Sequence, residues 1–209
     1  MTPSLRIPLL KDLDNLDLDT ALEQQGARFD IAHVNWPSEY PYAPVCAGKI
    51  ARTEESLVVD WRVSGLDLRV QNLADGGRIW EDSCCEIFLS VPGSWEYFNF
   101  EINAGGHLLA AHGPSREGRE KIATDDIMRF ASVEGPIEQA GGIWNWRVTL
   151  LIPFEVLGLD PDDLPSELLA NLYKCGDLTA HPHFLSWAPI NTPTPDFHRP
   201  EFFGKLILK

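Results

Sequence analysis

The chain of 209 residues is short of basic side chains, of cysteine pairs, of long apolar runs and of helical periodicity. Each shortage removes a class of protein. Against 31 Asp and Glu stand 17 Lys and Arg, a formal net charge of -14. A surface of that sign repels phosphate backbones, so no nucleic-acid partner is expected, while neutral ligands such as sugars are compatible with it. The four cysteines, Cys46, Cys84, Cys85 and Cys175, include no C-x-x-C pair, and their spacing signals no zinc site. Cys84 and Cys85 adjoin, so on a strand they point to opposite faces, and free buried thiols are expected. The apolar stretch at residues 7–10 is broken by Pro8 and stops at Lys11, too short for a secretory signal. No segment approaches a membrane span, so no insertion is expected. As written the chain reads as cytoplasmic; a mature form trimmed of its leader and given a new Met would read the same while being secreted or periplasmic. G-x-S-x-G, Walker and G-x-G-x-x-G motifs are all missing.

What is there is apolar and alternating. Hydrophobic residues make up 44% of the chain, enough for one domain with a large core. "SLVVDWRV" places Leu57, Val59, Trp61 and Val63 on one side and Asp60 and Arg62 on the other. "WEYFNFEIN" sets Phe98, Phe100 and Ile102 against Tyr97, Asn99, Glu101 and Asn103. "IWNWRVTLLI" sets Trp144, Trp146, Val148 and Leu150 against Asn145, Arg147 and Thr149. Such alternation marks half-buried strands. Turn signals "DGG", "PG", "AGG" and "GG" separate the runs, and "FFGKLILK" reads as a closing strand. The pattern predicts an all-β, two-sheet antiparallel sandwich with little helix. A short helix is expected at residues 17–26 and one turn after Pro153. The domain spans residues 1–209, with residues 1–50 as a less certain N-terminal extension.

The faces opposite the core carry Asp60, Arg62, Glu86, Asn99, Glu101, Asn103 and Arg147. Carboxylates, amides and arginines together offer the directional bonds that hydroxyl-rich ligands need. An exposed face laced with ion pairs such as Glu101 with Arg147 would give the same pattern. Trp80 shares strand parity with Asp82, Glu86 and Phe88, and a ring beside carboxylates suits a pyranose.

At "RIWEDSCCEIFLS", "YFNFEINAGG", "WRVTLLIPFEVLG", "ANLYKCGD" and "HFLSWAPINTPTPDFHRPEFFGKLIL" the sequence resembles carbohydrate-binding module family 9-like domains, from about Leu57 to the C-terminus. The resemblance implies a DOMON-like β-sandwich and a non-catalytic sugar binder linked to polysaccharide utilisation, its partner a mono- or oligosaccharide. It implies that Trp80 and Trp187 clamp a terminal sugar, with Glu86 and Asn171 on its hydroxyls. Arg62, Arg147, Arg199, Asn103 and His198 are further candidates. "CGDLTAHPHF" and "PDFHRPEFFG" resemble a variant subgroup. No cofactor is expected; calcium as a structural ion and haem, which some DOMON-like relatives bind, are the alternatives.

Other readings stay open. A glycoside hydrolase would use paired carboxylates, Glu86 with Glu101, or Asp82 and Asp196. A metal enzyme would use His181, His183 and His198, although Pro182 disturbs the H-x-H spacing. "FHRP" serves equally as a latch, with His198 and Arg199 bonding loop carbonyls. A binding role is favoured over catalysis.

Overall fold

The computed structural model describes residues 2–208. In chain order the strands are β1 (Ser4–Arg6), β2 (Ala27–Asp30), β3 (His33–Val34), β4 (Val45–Arg52), β5 (Ser56–Gly65), β6 (Cys84–Ser90) and β7 (Tyr97–Asn103). They continue with β8 (Leu108–Gly113), β9 (Glu120–Lys121), β10 (Arg129–Ile137), β11 (Ile143–Pro153), β12 (Glu167–Cys175), β13 (Phe184–Ser186) and β14 (Gly204–Ile207). One helix, α1 (Leu18–Gln25), precedes β2. Two sheets form: a nine-stranded one in the order β1-β14-β12-β6-β7-β8-β9, with β13 and β3 added beside β12, and a five-stranded one, β10-β11-β5-β4-β2. All neighbours are antiparallel except β1 with β14. The all-β sandwich expected from the alternation is the fold observed.

The sheets pack through the faces that the period of two assigned to the core. Leu57, Val59, Trp61 and Val63 of β5, Phe100 and Ile102 of β7, and Trp146, Val148 and Leu150 of β11 are buried in one cluster, with half-buried Phe98 packed on it. Burying each such side chain contributes about 1.5–3 kcal/mol, so this layer dominates stability. Gly48 lets β4 lie flat against β5, because a Cβ there would come within 1.9 Å of the Asp60 carbonyl.

Helix α1 forms where expected. The Asp17 side chain caps it by accepting the Thr20 N–H at 2.8 Å, and Gly26 ends it. It lies on the outer face of the five-stranded sheet, with Leu22 against Ala51 and Val58. The first fifty residues thus contribute a helix and strands to both sheets. The expected turn after Pro153 is a 3-10 turn, Phe154–Leu157.

The outer face of the nine-stranded sheet departs from a solvated sheet. Tyr97, Asn99, Glu101 and Asn103 are all buried. The chain between β13 and β14, which both pair with the same edge of β12, leaves the sheet and crosses this face. Its Phe197 stacks on Tyr173 at 4.1 Å, and Trp36, from the segment after β3, packs against Phe197 and Phe184. These loops wall in a cavity.

Candidate functional site

The cavity has a volume of about 820 Å³, within the range of small-molecule sites. Its floor is the outer face of β6, β7 and β8: Glu86 and Phe88, Asn99 and Glu101, Leu109 and Ala111. Alternation on a twisted sheet aims these side chains one way. Its walls are Trp80, Tyr40, Phe184, Phe197 and His198, and polar groups at its margin include Arg116, Arg119, Asp177 and Asp196.

Glu86 and Glu101 are direct cross-strand partners. Two carboxylates side by side in a water-poor floor resist ionisation. Burial first, and Glu101 second, push the Glu86 carboxyl well above its ordinary value. Burial raises Glu101 to about 7, against the hydrogen bond from Asn99, whose Nδ2 donates to Glu101 Oε1 at 2.8 Å. The other Glu101 oxygen, Oε2, is buried without a hydrogen-bond partner. Asp177 is raised to about 6, again by burial. Arg119 completes the row: its Nε donates to Asn99 Oδ1 at 2.7 Å, and its guanidinium sits 4.2 Å from the centre of the Tyr97 ring.

Trp80 lies in a 3-10 turn, Ile79–Glu81, and so does not share a strand with Glu86 as the parity argument required. The turn still brings its ring to the cavity wall. The chain after β12 fixes it: Asp177 N–H donates to the Trp80 carbonyl at 3.2 Å and Leu178 N–H to that of Glu81 at 3.1 Å. His198 reaches the cavity and bonds Tyr97 Oη through Nδ1 at 2.9 Å. Burial holds this imidazole neutral, down to about 3.

The other candidates lie elsewhere. Trp187 is 8% exposed, packs in the core between the sheets, and rests on Gly204, where a Cβ would meet its ring at 2.4 Å. The two-tryptophan clamp is therefore not formed. Asn171 is consumed by backbone: its Nδ2 donates to the Ala188 carbonyl at 3.0 Å, and its Oδ1 accepts from Ala188 N at 2.8 Å and Leu172 N at 3.0 Å. Asn103 braces a turn through the Asn72 carbonyl and Asp82, both at 3.0 Å. Arg62 and Arg147 are on the other sheet, where both bond Asp60 and hold α1 through Glu23 and Asp19. The pairing of Glu101 with Arg147 is therefore ruled out. Arg199 bonds Glu201 at the surface.

The metal set is dispersed, and of the hydrolase candidates Glu86, Glu101 and Asp196 line the cavity while Asp82 does not. His183 bonds Lys174 Nζ at 2.8 Å and the His181 carbonyl, away from His198. Asp82 is buried behind the sheet end and accepts from Gln71 N and Asn72 N. One histidine lines the cavity, His198, with its Nδ1 bonded to Tyr97 Oη. Among the described residues one set of three candidate metal ligands converges, Cys84, Glu86 and Cys175, whose soft donors do not suit calcium.

A family model described as carbohydrate-binding family 9 matches residues 16–208. The chain belongs to carbohydrate-binding family 9. Among solved structures, a protein of Bacteroides uniformis ATCC 8492, provisionally named carbohydrate-binding, is 30% identical with both chains fully covered, at a TM-score of 0.87. Two structures of a carbohydrate-binding module family 9 from Caldicellulosiruptor kristjanssonii share the fold. The one in complex with cellotriose is 12% identical, with 99% of this chain and 94% of the other covered and a TM-score of 0.64. The one in complex with glucose is 13% identical, with 99% and 96% covered and a TM-score of 0.61. No curated protein matches the chain.

Tyr40, Arg116, Arg119, Asp177, Phe184 and Phe197 line the family 9 cavity without having stood out in the sequence. Arg119 lies in the unpatterned run "SREGRE", and nothing local marks it as aimed at Asn99.

Proposed function

We propose that this family 9 chain is a non-catalytic carbohydrate-binding domain that holds a mono- or oligosaccharide in the cavity on its nine-stranded sheet, in the service of polysaccharide utilisation. The observation that carries the reading is the Trp80 ring standing beside the buried row Glu86, Glu101 and Asn99. An indole accepts the C–H face of a pyranose, while carboxyl and amide groups take its hydroxyls. The net charge suits a neutral ligand. Tyr40 and Phe184, in edge contact at 4.8 Å, supply further apolar wall in place of a second tryptophan.

The placing of the floor pair supports binding over hydrolysis. Glycoside hydrolysis places two of them on different sides of the scissile bond. Glu86 and Glu101 project from one floor as cross-strand neighbours, and Glu86 Oε1 accepts the Cys175 thiol at 3.0 Å. A glycan array probed with the purified chain, then calorimetry on each hit, tests the proposal. Saturable binding of a neutral glycan without release of reducing ends is expected; release of reducing ends, or a blank array, would overturn it.

A further inference from the structure

On the cavity floor Glu86 stands beside two thiols that sugar binding does not use. Cys84 on β6 and Cys175 on β12 are direct cross-strand partners on the outer face, and Glu86 follows two residues along β6 on the same face. One ligand atom from each of the three lies within 4.8 Å of the others. The Cys175 Sγ–H donates to Glu86 Oε1 at 3.0 Å, and Cys84 Sγ lies 4.0 Å from the same oxygen. We propose that Cys84, Cys175 and Glu86 form a zinc-binding site at the floor of the cavity.

Geometry supports it first. A tetrahedral zinc ion with metal–sulfur bonds of about 2.3 Å and a metal–oxygen bond of about 2.0–2.2 Å sets its ligand atoms roughly 3.5–3.8 Å apart. The sulfur–oxygen distances of 3.0 and 4.0 Å bracket that spacing, so closure needs only side-chain adjustment. All three ligands stand on paired strands, the most rigid support in the molecule.

Electrostatics supports it second. Glu86, Glu101 and Asp177 line one cavity, and Glu86 and Glu101 are side by side on paired strands. The unpartnered Glu101 Oε2 stands beside Glu86. A dication there satisfies Glu86 directly and its neighbours at longer range. Two thiols and a carboxyl select a thiophilic ion over calcium or magnesium. Three protein ligands leave one position for water or a sugar hydroxyl from the cavity, which Glu86 and Cys175 line. Zinc displaces both thiol protons, and any proton on Glu86, into solvent. Because the thiols must lose their protons to bind, affinity rises with pH.

The other two cysteines provide an internal control. Cys46 and Cys85 are buried in the core between the sheets, on the opposite face. Reduced, chelator-treated protein is titrated with cobalt(II), then with zinc. One equivalent of cobalt should give tetrahedral visible bands and a charge-transfer band of two-thiolate intensity, both erased by zinc, with about two to three protons released per metal, two from the thiols and any third from Glu86. Cys46→Ala/Cys85→Ala should keep the spectrum, while Cys84→Ser/Cys175→Ser should lose it and bind at least about a hundredfold more weakly. Thermal melting shows whether each variant is folded, and the wild-type spectrum and proton count stand without them. Failure of the wild type to give a thiolate–cobalt band would overturn the proposal. So would a band that survives in folded Cys84→Ser/Cys175→Ser, or a Cys84–Cys175 disulfide in the protein as purified. Sugar is omitted throughout, so the outcome is independent of carbohydrate binding.

Discussion

Replacing Glu101 by Gln keeps the shape of the cavity floor and the acceptor for Asn99, and removes one titrating group. In the folded chain Glu101 titrates at about 7, against an ordinary 4.5, mainly because it is buried. Between those values the folded state holds a proton that the unfolded state has lost, so stability falls as pH rises. Each pH unit inside that window costs about 1.4 kcal/mol, and the whole window from 4.5 to about 7 therefore costs about 3 kcal/mol. The full stability is present below 4.5. Other groups oppose this trend in the wild type. His183 and His198, depressed by burial to about 2 and about 3 from 6.5, add stability that is present above 6.5 and lost as pH falls. The wild-type curve alone is a mixture, and the difference between the two chains isolates Glu101. Urea unfolding from pH 4.5 to 8 should show Glu101→Gln gaining about 3 kcal/mol on the wild type across that range, with the gain levelling off above 7. Relief of Glu86, whose carboxyl Glu101 also raises, adds in the same direction. Parallel stability curves for the two proteins would refute the buried carboxyl pair.

Trp187→Ala should cost about 3–5 kcal/mol in urea unfolding, as a buried aromatic truncated in the core, while sugar affinity measured on folded protein stays unchanged. Gly204→Ala should lower the melting temperature sharply, because its Cβ would meet the Trp187 ring at 2.4 Å and the Pro3 carbonyl at 2.7 Å. His198→Ala should cost about 1–3 kcal/mol at neutral pH by leaving Tyr97 Oη without its partner. Metal-free protein should melt at the same temperature with and without reductant, since all four cysteines are free; a large drop on adding reductant would reveal a disulfide.

Alternation carried most of the architecture. In β5, β7 and β11 it marked the side chains that meet between the sheets, Trp144 at the start of β11 excepted, because a period of two is all that a half-buried strand requires. Alternation says nothing, however, about which sheet a strand joins. Arg62 and Arg147 share the pattern of Glu86 and Glu101, yet they brace α1 on the far side of the molecule. Loop residues were legible only as composition. Trp187 and Phe197 lie on one irregular stretch, and long-range packing alone sends the first into the core and the second to the cavity wall. Cys84 and Cys175 are far apart in sequence and meet through the pairing of β6 with β12, which no local spacing reveals.

Calorimetric titration of wild type and Trp80→Ala with a glycan taken from the array tests the central claim most directly. Trp80 is half-buried and packs on the outer aromatic cluster, so affinity is compared on protein shown by melting to be folded. Removing one stacking face should cost about 1–3 kcal/mol, a weakening of roughly 5- to 150-fold in Kd. Equal affinity in the two proteins would contradict a sugar held in this cavity.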